Sequence, residues 1–245
     1  MLQDPSKSLD LTQPRRVPEV LSSALWLYLK WPLLFMALSA IVVVPYELVV
    51  LAVAHAPPLG QQNTSAGTLF ILEVIDLALV GPFVSALLVQ AVITIGDGRS
   101  PQIGDVVRRG VRVLPVVAAA EIIVGIGVAI GLAFLIIPGV ILALRWAVVA
   151  QAAAVERTDW PTALRRGAEL ARRNYARIFV LLIVVALVNV TLTGIGGGIV
   201  GTHKGPVQVV VGIIIVVLTR AFGALVTAML YFDLRAREAE TGGLY

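Results

Sequence analysis

Six long apolar stretches separated by polar intervals set the frame of this 245-residue chain. They cover residues 32-54, 68-95, 113-137, 140-155, 178-200 and 207-232. A helix rises 1.5 Å per residue, so about 20 apolar residues cross roughly 30 Å of hydrocarbon. All but the fourth stretch reach that length. The pattern predicts an all-α, polytopic integral membrane protein with six transmembrane helices. Short intervals after the first, third and fifth stretches arrange them as three hairpins.

The intervals between hairpins have a second pattern, in which apolar and basic positions alternate at helical spacing. Val20, Leu21, Ala24 and Tyr28 oppose Glu19, Ser22, Ser23 and Lys30. Residues 103, 106, 107, 110, 111 and 114, apolar or Gly, oppose Asp105, Arg108, Arg109 and Arg112. Trp160, Ala163, Leu164, Gly167 and Ala171 oppose Arg165, Arg166, Glu169, Arg172 and Arg173. Each reads as an amphipathic interfacial helix leading into a hairpin, with Pro18, Pro101 and Pro161 near the helix starts. Residues 1–17 then form a polar, mobile tail that stays attached, 18–237 the membrane domain, and 238–245 a second tail.

Charge adds an orientation. Of 19 Lys and Arg residues, sixteen fall in the tails and the intervals at one end, whereas Lys204 is the only one in the intervals at the other. Basic loops resist translocation, so the expected placement is the cell (inner) membrane with both termini cytoplasmic. Composition agrees, since 14% of residues are charged where a soluble domain carries about 25%. Membrane orientation accounts for the basic segments, so they give no reason to expect a nucleic-acid partner. Expected partners are the bilayer itself, anionic phospholipids around Arg108, Arg109, Arg112, Arg165, Arg166, Arg172 and Arg173, and a protein partner or second copy of the chain.

Ionisable residues inside the spans are the candidate functional set, because a charge in hydrocarbon costs about 2.5–3.5 kcal/mol and needs a partner or a cavity. Helical rise sorts them into two layers. Glu47, Glu73, Asp76 and Arg145 fall in the outer half; Glu121 and Arg220 lie about 12 Å from the cytoplasmic side. The expected pairs are therefore the outer acids with Arg145, and Glu121 with Arg220. Two roles remain open for them: a polar path across the bundle, or buried pairs that fix helix packing. Among the glycines, Gly125, Gly127 and Gly131, and Gly194 to Gly198, suit close helix contact or a bend, with close contact the default, and the run Gly196-Gly197-Gly198 suits the end of the fifth helix.

Catalytic and cofactor chemistry is not called for. The chain has no Cys, which removes thiolate nucleophiles and Cys-based metal sites. Its two histidines, His55 and His203, lie in expected loops without an acidic partner, so no metal site is assigned. Gly194-Ile195-Gly196-Gly197 lacks the Lys-Ser/Thr of a phosphate loop.

The order Ile137-Pro138-Gly139, Arg145-Trp146, Glu156, Ala163-Leu164-Arg165-Arg166, Asn174-Tyr175-Ala176-Arg177 and Tyr231-Phe232-Asp233-Leu234-Arg235-Ala236-Arg237 resembles the membrane domain of some glycerophosphodiester phosphodiesterases. That domain also occurs in stand-alone bacterial membrane proteins of unknown function. The resemblance implies a six-helix domain without chemistry of its own, lacking the phosphodiesterase barrel. The expected function is a non-catalytic membrane protein that organises lipids or partners. The alternative is a transporter or permease of a small ion or amphiphile.

Overall fold

The computed structural model describes residues 10–55, 64–202 and 205–242, with side chains 199–202 and 241–242 excepted. His203 and Lys204 lie outside this range. Every regular element among the described residues is helical: α1 (Val17–Lys30), α2 (Pro32–Ala54), α3 (Ala66–Ile75), a π-helical turn (Asp76–Val80), α4 (Gly81–Gly96), α5 (Ile103–Phe134), α6 (Ile136–Arg145), α7 (Val149–Glu156), α8 (Trp160–Ala171), α9 (Tyr175–Thr202) and α10 (Pro206–Gly242). Six stretches are long and apolar enough to cross a membrane: α2, α3 through α4, α5, α6 through α7, α9 and α10. The chain is a multi-pass helical membrane protein.

Burial ranks the spans. In α4, Ala86 to Val92 are all buried, which leaves no polar face and makes this the central helix. It packs on α5, α10, α7 and α2. By contrast α9 is only 11% buried over its most apolar window and leans chiefly on α10. The three hairpins are thus not separate units, because α4 meets α5 as extensively as α5 meets α6.

Small residues set the closest approaches. A Cβ on Gly131 would sit 2.8 Å from the Gly139 Cα, and one on Gly127 would sit 2.6 Å from the Trp146 ring. A Cβ on Gly125 would fall 2.4 Å from Leu77. The close-contact reading of these three glycines therefore holds. The Gly196–Gly198 reading does not, since α9 runs on through them to Thr202. Close contact fails here as well, since a Cβ on Gly194, Gly197 or Gly198 would meet nothing within 4 Å. With no neighbour pulling the chain aside, the helical hydrogen bonds continue.

Other boundaries also differ from expectation. The turn between the third and fourth spans falls at Leu135 (φ −156°, ψ 134°), not at Pro138-Gly139. Pro138 instead occupies the first turn of α6, where a missing N–H leaves no bond unmade. The fourth span is interrupted at Trp146 and Val148, which leave helical geometry (φ −110°, ψ 12° and φ −119°, ψ 16°). The second interfacial helix is not separate: residues 103–112 run straight into the span as the 32-residue α5. Pro115, within it, is exposed, so the backbone carbonyl deprived of its donor faces outward rather than into the core. The last helix continues past Phe232 to Gly242.

Candidate functional site

A cavity of about 550 Å³ lies between α2, the π-helical turn with α4, α9 and α10. Sequence explains why the wall opens here. Pro82 has no N–H to give the preceding turn and its ring crowds that turn, and the helix widens to a π-turn whose Gly81 N–H reaches back to the Asp76 carbonyl. Tyr46 of α2 donates its hydroxyl to the Leu72 carbonyl at 2.9 Å, tying the two helices just before the distortion.

Glu47, Glu73 and Asp76 line this groove together with Arg220. Arg220 donates to Asp76 Oδ2 at 2.6 Å, with the two side chains 38% and 13% exposed. The expected pairing of Arg220 with Glu121 is therefore wrong. The depth estimate failed because Arg220 stands about 18 Å of helix before Phe232, near mid-span rather than near the basic end. Glu121, on α5, makes no hydrogen bond or ion pair among the described residues. Arg145 is exposed at the end of α6, outside the groove, so the outer acids do not pair with it. The two layers become one cluster of three carboxylates around one guanidinium.

The remaining walls mix apolar residues with polar ones that sequence reading passed over. On α9, Val185, Asn189 and Thr193 recur at four-residue spacing; on α10, Thr219, Gly223 and Thr227 do the same. Both are narrow stripes on otherwise Val/Ile/Leu-rich helices, and that interruption is the signal that could have found them. From Val216 to Thr227 the groove follows α10 for about 17 Å.

Breaking the ion pair supplies a direct check. We expect Asp76→Asn and Arg220→Gln to couple by about 1–3 kcal/mol in a double-mutant cycle on unfolding, the double change being milder than the summed singles. Glu121→Gln with Arg220→Gln should be additive. Coupling in the second pair and none in the first would refute the assignment.

At the basic end, two ionic clusters lock the bundle. Asp233, fully buried, accepts from the Arg15 N–H at 2.5 Å, from Arg177 at 2.8 Å and from Arg237 at 3.2 Å. Arg177 and Arg237 also donate to the Arg15 carbonyl. The N-terminal tail is thus docked from at least Arg15 onward rather than mobile. Beside it, Arg166 forks onto both Glu238 oxygens at 2.6 Å and donates to Glu156 at 2.9 Å, where the Tyr231 hydroxyl also bonds. The Glu238 bonds, with help from Glu156, raise the Arg166 pKa above its ordinary value despite burial.

Arg166 is therefore committed within the fold and is not free for headgroups. Arg109 is half-buried and reaches Thr94 at 3.3 Å. Arg108 stays exposed beside Asp105 at 3.5 Å, and Arg112, Arg165, Arg172 and Arg173 are exposed. His55 ends α2 in the left-handed region (φ 51°). No three His, Cys, Asp or Glu residues among those described gather in a metal-holding cluster.

Fold and cavity together define a class: a multi-pass helical membrane protein with a polar, acid-rich groove among its spans. No family model, curated protein or solved structure matches the chain.

Proposed function

We propose that the protein is a carrier that binds a small solute in the groove between α2, α4, α9 and α10 and passes it across the membrane. One observation carries this reading: a cavity of about 550 Å³ lined by four charged side chains sits among the spans. Packing alone has no use for so large a polar volume, because each buried polar atom without a partner costs free energy. The size falls within the 300–1,000 Å³ of small-molecule sites. Discontinuous helices at such a site are a recurrent feature of transporters, and here the second span carries a π-turn in the wall of the groove.

In the same proposal the basic end faces the cytoplasm at the cell (inner) membrane, where Arg108, Arg112, Arg165, Arg172 and Arg173 meet anionic headgroups. No catalytic step is assigned. The proposal also keeps a relationship to the membrane domain of glycerophosphodiester phosphodiesterases, supported by the resemblance of the segments Ala163-Leu164-Arg165-Arg166 and Tyr231-Phe232-Asp233-Leu234-Arg235-Ala236-Arg237.

Because the chain has no Cys, single cysteines can report access. Thr219→Cys in reconstituted vesicles should react with an impermeant methanethiosulfonate reagent added to either side, since a carrier opens alternately. Lipid-facing Val190→Cys should not. Reaction of Thr219→Cys from one side only would exclude the carrier. Reaction of Arg165→Cys from outside the cell would reverse the orientation.

A further inference from the structure

The groove holds more acceptors than donors. Glu47 lines it, is 9% exposed, and makes no hydrogen bond or ion pair among the described residues. Asp76 gives Oδ2 to Arg220, while its Oδ1 is buried without a hydrogen-bond partner. The Thr219 hydroxyl donates to the carbonyls of Ile215 and Val216, and that of Thr227 to those of Gly223 and Ala224. With their hydrogens turned back into the helix, neither donates to the cavity, and Thr227 Oγ1 already accepts from Gln151 Nε2 at 2.9 Å. Against three carboxylates stands Arg220, the one basic side chain among the lining residues.

We propose that the groove binds an organic cation bearing N–H donors, a primary ammonium or guanidinium on a short carbon chain, and that Arg220 holds the ligand's place at Asp76 when the groove is empty. This rests on the carrier reading and names its substrate class. Arg220 is itself a guanidinium on a three-carbon stem, already making at Asp76 the charge-assisted bond that such a ligand makes. Glu47 supplies the second, unclaimed anchor, and Glu73 stands in the same cavity. An anion entering here meets three acids, with one committed arginine as its only cationic partner and the neutral Asn189 amide and Ser85 hydroxyl as its other donors. A quaternary ammonium carries charge but no N–H, so it leaves Asp76 Oδ1 unsatisfied. An inorganic cation fills a small part of 550 Å³.

Titration calorimetry of the purified full chain in detergent tests this with four probes: hexylammonium, hexylguanidinium, tetramethylammonium and hexanoate. Hexylammonium and hexylguanidinium should bind, with tetramethylammonium at least tenfold weaker and hexanoate without measurable binding. Glu47→Gln and Glu73→Gln should each weaken hexylammonium about tenfold. Arg220→Gln should tighten it about tenfold, because the internal competitor is gone.

Hexanoate binding that disappears in Arg220→Gln overturns the proposal in favour of an anion site. Tetramethylammonium binding as tightly as hexylammonium overturns the requirement for N–H donors, and no binding of any probe overturns the cation assignment. Unchanged affinity in Arg220→Gln removes the place-holding role. Should that variant not fold, Glu73→Gln carries the test, since Glu73 is exposed and outside the ion pair. Two-sided labelling of Thr219→Cys is scored without ligand, so the carrier reading stands or falls separately.

Discussion

Replacing Asp233 by Ala should cost about 3–5 kcal/mol, the range for removing one member of a buried ion cluster. The carboxylate is fully buried and accepts from three residues: the Arg15 main chain, Arg177 at the start of α9, and Arg237 one turn farther along α10. Its loss leaves the Arg15 N–H without an acceptor and two guanidinium groups with only the Arg15 carbonyl in a partly buried site. The thermal midpoint in detergent should fall by about 10 °C, at roughly 2–4 °C per kcal/mol for a chain of this size. Residues 10–16 should become protease-sensitive at the same time, because their anchor has gone. Asp233→Asn should lie between, since an amide oxygen still accepts. A midpoint unchanged in Asp233→Ala would show that the cluster is not holding the basic end together.

The second large effect is expected at Gly131→Val. The atoms a side chain would meet there are the Cα and N of Gly139, at 2.8 and 3.1 Å, and backbone cannot swing aside as a flexible side chain can. Either the α5–α6 hairpin opens or the two helices shift along each other, at about 3 kcal/mol, the upper end of overpacking costs. Gly197→Ala is the matched control. Nothing lies within 4 Å of its Cβ position, and alanine in a helix interior gains about 0.5–1 kcal/mol over glycine. Unfolding of the two variants should therefore move in opposite directions, and equal destabilisation would count against the packing argument.

Sequence pattern resolved the large features because the bilayer imposes them. Span number follows from run length, and the end at which the basic segments gather follows from their spacing. The groove was half legible. Glu47, Glu73, Asp76 and Arg220 stood out as charges in apolar runs, yet their partners did not, because Arg220 was set about one turn too near the basic end. The end of an apolar run is not the end of a helix: α10 carries polar Arg235, Arg237 and Glu238 without a break. The π-turn was hidden because Gly81-Pro82 reads equally as a kink, a bulge or a tolerated proline until the neighbouring wall is seen.

The motifs behind the family resemblance have a physical account. Glu156, Arg166, Arg177, Tyr231, Asp233 and Arg237 are far apart in sequence, and the two basic-end clusters are built largely from them. Their shared purpose was invisible in one dimension because each cluster closes across 56 residues or more, between Arg177 and Asp233 or between Glu156 and Tyr231.

That distance also sets a clock. A ribosome adds roughly 5–20 residues per second, so the Asp233 carboxylate emerges about 3–11 s after Arg177 and about 11–44 s after Arg15. Until then Arg177 has only the Arg15 carbonyl to bond, and the Arg15 N–H lacks its acceptor. Five spans are complete before the bolt is made, and a chain halted short of residue 233 is left with its N-terminal segment and fifth span unlatched.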